Sequence, residues 1–158
     1  MNRLLKYDFW IRLFVVLISF IQPFILLLFC GELSSISSYW DTPLQPLFIF
    51  TNASTSYFFF SMRNWKLPSL LLLLLTAFSV MLYPTLHNIF AVSFFILCMY
   101  PLYKTKRFKY YLWIYALSSV IFFLFGILWA EIFGIMVLTA YHTQTLIYKR
   151  SLEISRGK

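Results

Sequence analysis

The sequence predicts an all-α fold, a polytopic transmembrane bundle of six helices forming a single domain over residues 1–158. Three observations carry that prediction. Of the 158 residues, 61% are hydrophobic and only 11% are charged, against about 25% charged in a soluble domain. The apolar residues come in long uncharged runs, and the basic residues come in short clusters between those runs. A soluble globule of this length covers itself with polar side chains; this chain has too few, so lipid is the solvent its surface suits. The formal charge of +8 sits in these clusters and not along one helix face, which points to membrane-surface loops and away from a nucleic-acid partner.

The first span is read over residues 13–30. Arg3, Lys6 and Arg12, mixed with Leu4, Leu5, Phe9 and Trp10, form an interfacial lead-in. The run after them is close to the roughly 20 residues needed to cross hydrocarbon. It lacks a small-x-small cleavage site and is long for the apolar region of a signal peptide, which favours an uncleaved span. Gly31 suits a helix C-cap and opens the one long polar loop, GELSSISSYWDTPLQ, over residues 31–45. Pro46 fits the first turn of a second helix, read over 46–62. Asn52, Thr55, Ser56 and Phe59 recur there at i, i+3, i+4 and i+7, so one stripe of that helix faces protein. Asn52-Ala53-Ser54 matches a glycosylation sequon, which burial in a span would keep from use.

Residues 67–103 carry no formal charge. As one helix they would reach about 55 Å, nearly twice the roughly 30 Å hydrocarbon core, so the chain must turn back. Tyr83-Pro84-Thr85 is the break, because the residue before proline is pushed out of the helical region. Spans are therefore expected over 68–82 and 85–103; the six leucines from Leu70 to Leu75 give no indication of which face is buried. The last apolar block, 110–148, is interrupted only by Glu131 and must also hold two spans, 110–127 and 131–148, with the hairpin between Gly126 and Glu131.

Six spans place the N-terminus, residues 63–66, residues 104–109 and the C-terminus on one side. Those segments hold all 13 lysines and arginines, and the other side holds Glu32, Asp41 and Glu131 of the five acidic residues. The positive-inside rule then puts both termini in the cytoplasm. Cys30 and Cys98 fall at opposite depths and read as small hydrophobes.

The same topology brings the polar residues of the outer face to one level. The expected ligand-binding set is Glu32, Ser35, Ser37, Tyr39, Asp41, Asn52, His87, Asn88 and Glu131. Ionisable groups near membrane depth are functional candidates, and His87, Glu131 and Asp41 are the candidates for catalysis. His87 with a carboxylate suits an acid/base pair, a proton relay or a one-histidine metal site; interfacial solvation and a structural hydrogen bond are the alternatives. His142 lies eleven residues after Glu131, roughly 16 Å deeper on the same helix, so one metal ion cannot bind both; hydrogen bonds to Thr139, Thr143 or a neighbouring helix are expected for it. No nucleotide-binding glycine loop, HExxH, GxSxG or CxxC is present, and no metal or cofactor is expected. A serine triad with His87 singles out no serine of the four in the loop.

Ser35-Ile36-Ser37-Ser38-Tyr39-Trp40 after the first span, Leu86-His87-Asn88 opening a later helix and Trp129-Ala130-Glu131 opening the last resemble a family of small bacterial polytopic integral-membrane proteins. That family carries an S-I-S-x-Y-aromatic motif and brings no known activity. Where its pattern has a basic-acidic pair after the motif, this chain has Leu44 and Gln45. A more distant similarity is to the CREST group of membrane hydrolases and receptors, whose three-histidine zinc site cannot be assembled from two histidines at different depths. The leading expectation is an outer-face cluster that binds a lipid headgroup, a small polar ligand or a membrane partner, with membrane lipids, another membrane protein or a second copy as partners. A membrane-embedded hydrolase or metal-dependent lipid-modifying enzyme is the alternative, and a structural accessory subunit is a third.

Overall fold

The computed structural model describes the backbone of residues 3–156 and the side chains of residues 8–155. Among these residues the chain is all-helical. Six α-helices follow in order: α1 (Arg3–Cys30), α2 (Gln45–Phe60), α3 (Lys66–Ala77), α4 (Pro84–Lys104), α5 (Tyr110–Phe125) and α6 (Ile127–Arg156). Short 3-10 turns occupy Ile36–Asp41, Arg63–Trp65 and Lys106–Phe108 in the connections. Two segments, Asp8–Cys30 of α1 and Pro84–Lys104, are long and apolar enough to cross a bilayer.

Two expected boundaries are corrected. The third span was expected to reach residue 82, but α3 stops at Ala77, after 12 residues or about 18 Å. Ser79 ends it: its hydroxyl takes the Met81 amide at 3.1 Å and its carbonyl takes the Tyr83 amide at 2.9 Å. Ser and Asp side chains compete with the helix for backbone groups in this way, and Pro84 then starts α4. The final hairpin was expected over 126–131, but the turn is Gly126 alone. At φ +91° and ψ 179° it occupies backbone space that is almost closed to other residues, and it reverses the chain in one residue. Helix α6 thus begins at Ile127, and Glu131 lies in its second turn, not at its start.

Polar clasps register the helices. Ser56 Oγ donates to the Ser69 carbonyl at 2.7 Å while Ser69 Oγ donates to the Ser56 carbonyl at 2.6 Å, joining α2 to α3. Ser19 Oγ and Thr55 Oγ1 meet at 2.6 Å between α1 and α2, and each also lies within 2.8 Å of a carbonyl of its own helix. With carbonyls at both ends and only two hydroxyl protons, two of these three contacts carry a hydrogen bond at any moment. On α6, Gly134 lets the helix seat against α4 and α5, since a Cβ there would stand 3.2 Å from the Phe95 ring and 3.4 Å from that of Tyr115.

The apolar interior has two parts. One, toward the 31–45 loop, gathers Leu26, Ile36, Tyr39, Phe48, Leu128 and Ile132. The other includes Phe58, Phe59, Trp65, Phe94, Leu138 and Tyr141. Outside them the surface is rich in exposed large apolar side chains, among them Phe29, Tyr57, Val92, Trp113 and Phe123. Helix α5 contributes only Tyr115 to the interior.

Candidate functional site

The 31–45 loop folds inward as a plug. Gly31, at φ +73°, turns the chain out of α1. Ser35 caps the 3-10 turn, its hydroxyl accepting from the Ser38 amide at 3.3 Å and meeting Ser37 Oγ at 2.9 Å. Tyr39 is wholly buried and donates its hydroxyl to the Gly31 carbonyl at 2.5 Å. Burial also raises the Tyr39 pKa from its ordinary value. Trp40 Nε1 donates to the Thr76 carbonyl at 2.9 Å and ties the plug to the end of α3.

Beneath the plug, between the two apolar clusters, lies a cavity of about 70 Å³. Its polar lining comes from four segments: Ser19 and Gln22 of α1, Ser37 of the plug, Asn52 and Thr55 of α2, and Glu131 and Thr139 of α6. Glu131 is buried, and its Oε2 accepts from the Ile36 amide at 2.7 Å. No basic side chain lies within 4 Å of this carboxylate among the described residues. Gln22 is 2% exposed, and its Nε2 has no hydrogen-bond partner. Next to it, Pro23 lacks the amide that would serve the Ser19 carbonyl one turn back. The site therefore holds a carboxylate, two amides and several hydroxyls in a setting where an unpaired polar group is costly.

Of the residues expected to act together, Ser37, Asn52 and Glu131 share this cavity, and Ser35 and Tyr39 shape its lid. The others are placed elsewhere. Glu32 is exposed and accepts from Trp129 Nε1 at 3.0 Å. Asp41 is exposed and receives Ser79 Oγ at 3.5 Å. Asn88 is exposed. His87, in the first turn of α4, is fully buried against the α3–α4 connection, its Nδ1 2.6 Å from the Phe78 carbonyl. A carbonyl only accepts, so Nδ1 carries the proton; Nε2 is left without a partner. His87 does not line the Glu131 cavity, and among the described residues no three His, Cys, Asp or Glu side chains gather as a metal-binding group.

His142 also departs from expectation. Thr139 and Thr143 bond to carbonyls of α6 itself, while the imidazole sits in a box of Phe58, Phe59, Trp65 and Tyr141 with ring centroids 4.4–5.6 Å away. Among the residues the sequence reading missed is Gln22. Its signal was available, as an amide in the middle of the otherwise apolar run 13–30. No family model matches the chain, and neither a curated protein nor a solved structure matches it.

Proposed function

We propose that the protein is a multi-pass protein of a bacterial inner membrane, with both termini cytoplasmic, whose plugged cavity binds a small polar ligand carrying positive charge. Support for the membrane reading comes from the two helices of spanning length, the apolar exterior and the gathering of basic residues between runs. The observation that carries the binding reading is the buried Glu131 carboxylate, answered by a single backbone amide in a cavity lined by neutral polar groups.

A buried carboxylate served by one backbone amide has unmet demand for positive charge or a proton. The remaining lining offers oxygen acceptors from Ser19, Ser37, Asn52, Thr55 and Thr139. A volume near 70 Å³ suits a small protonated amine or a monovalent cation and leaves no room for a phospholipid headgroup. An acid/base enzyme built on His87 and Glu131 would need those two groups in one site, and they flank different spaces.

The test is binding by purified protein in nanodiscs, with ammonium, methylammonium and sodium as the compounds titrated. Saturating ligand at about 100 times Kd stabilises the fold by about 2.7 kcal/mol, a readable shift in unfolding temperature. Glu131→Gln is expected to abolish that shift, and Gln22→Leu to weaken it. An equal shift in wild type and Glu131→Gln would overturn the reading.

A further inference from the structure

At the end of the bundle opposite the plug, the turn Arg63–Trp65 and the last turn of α4 frame an open groove of about 590 Å³, within the roughly 300–1,000 Å³ range of ligand pockets. Arg63, Lys66 and Lys104 line it together with Asn64, over a floor of Leu67, Pro68, Leu97 and Tyr100. No carboxylate lines it. Lys66 Nζ is held 5.8 Å over the Phe60 ring and Lys104 Nζ 5.5 Å over the Tyr100 ring. These contacts fix the two ammonium groups near the groove without neutralising them. Arg63 makes no ion pair among the described residues.

A neighbouring space of similar size is a poorer anion site. There Arg12, Arg63, Lys149 and Arg150 face Asp8 and Glu153, and Arg12–Asp8 and Arg150–Glu153 are already paired at 2.7 and 3.5 Å. Of these two spaces, the α3–α4 groove combines uncompensated charge with an apolar floor that continues onto the exposed face of α3, where Leu67 and Leu70 point outward.

We propose that this groove seats an anionic glycerophospholipid, its phosphate among Arg63, Lys66 and Lys104 and an acyl chain along Leu67 and Leu97. The inference rests on the membrane reading above and is independent of the Glu131 cavity. Basic pockets between helices on a cytoplasmic face recognise anionic headgroups in this manner.

The experiment compares retention of phosphatidylglycerol and phosphatidylcholine by the full chain, using native mass spectrometry after release from nanodiscs. The groove variant replaces Arg63, Lys66 and Lys104 with Gln. A control variant replaces Lys106, Arg107 and Lys109 with Gln, removing the same charge outside the groove. Wild type is expected to prefer phosphatidylglycerol, and the groove variant to lose about fivefold in retention for each charge removed. The control variant should keep the preference, and glycerol phosphate without acyl chains should compete weakly. Equal retention of both lipids by wild type, or equal loss in both variants, would overturn the lipid site while leaving the membrane reading intact. A chain that stays in aqueous solution without detergent would overturn both.

Discussion

Gly126 shows how much of the fold can depend on one backbone conformation. With φ +91° and no atom within 4 Å of where a Cβ would stand, its replacement meets no steric clash; the cost is conformational alone. Gly126→Ala is expected to lose about 1–3 kcal/mol of stability, read as a lowered unfolding midpoint in mixed micelles. Gly134 is the converse case. Its backbone is helical and the obstacle is the packed rings of Phe95 and Tyr115, so Gly134→Ala acts through the α4–α6 contact. The sequence showed Gly126 near a turn but not that the whole turn is this residue, because a positive φ leaves no trace in hydrophobic patterning. The same limit displaced Glu131. Moving the helix start back to Ile127 turns its carboxylate from the wet rim, where the sequence reading put it, into the cavity beside Gln22.

At the scale of elements, the α2–α3 hairpin depends on the reciprocal clasp of Ser56 and Ser69. Each hydroxyl donates to the other residue's carbonyl, so truncating one serine removes one bond and leaves the second in place. Ser56→Ala and Ser69→Ala are each expected to cost about 0.6 kcal/mol, the average for such contacts between membrane helices, and the double variant about the sum. Singles indistinguishable from wild type in an unfolding titration, with a large loss only in the double, would show that the clasp is not two separable bonds. Half of this element was legible. Ser56 stood on the polar stripe with Asn52 and Thr55, and that stripe does face protein. Its partner helix was opaque, because six consecutive leucines have no periodicity. Only three-dimensional packing shows Leu72 and Leu75 turned inward and Leu70 and Leu73 outward. The expected convergence of Glu32, Asp41, His87 and Glu131 dissolved for a related reason. A shared level in the bundle does not fix which side of each helix a residue occupies.

For the whole molecule, the short helices are the test of the six crossings expected from the sequence. At about 24 Å, 18 Å and 24 Å, α2, α3 and α5 fall short of a roughly 30 Å core, which would also suit a hairpin that enters and leaves by one face. The geometry of the basic end argues for crossings. Arg63 and Trp65, between α2 and α3, line one space with Arg12 of α1, Thr105 after α4 and Lys149 of α6, and Arg12 Nη1 donates to Ser61 Oγ at 2.8 Å. The turn between the short helices therefore lies level with the end of α4 and with the positions where the apolar runs of α1 and α6 give way to basic residues. At the other end, Trp129–Glu32 and Trp40–Thr76 contacts bring the start of α6, the end of α1 and the end of α3 together. In a Cys30→Ser, Cys98→Ser background, a cysteine replacing Lys66 is thus expected to react with a membrane-impermeant maleimide only from the cytoplasmic side. A cysteine replacing Asp41 should react only from the outside. Labelling of both positions from outside would reduce α2 and α3 to a re-entrant hairpin, and reversed labelling would invert the orientation that the 13 basic residues imply.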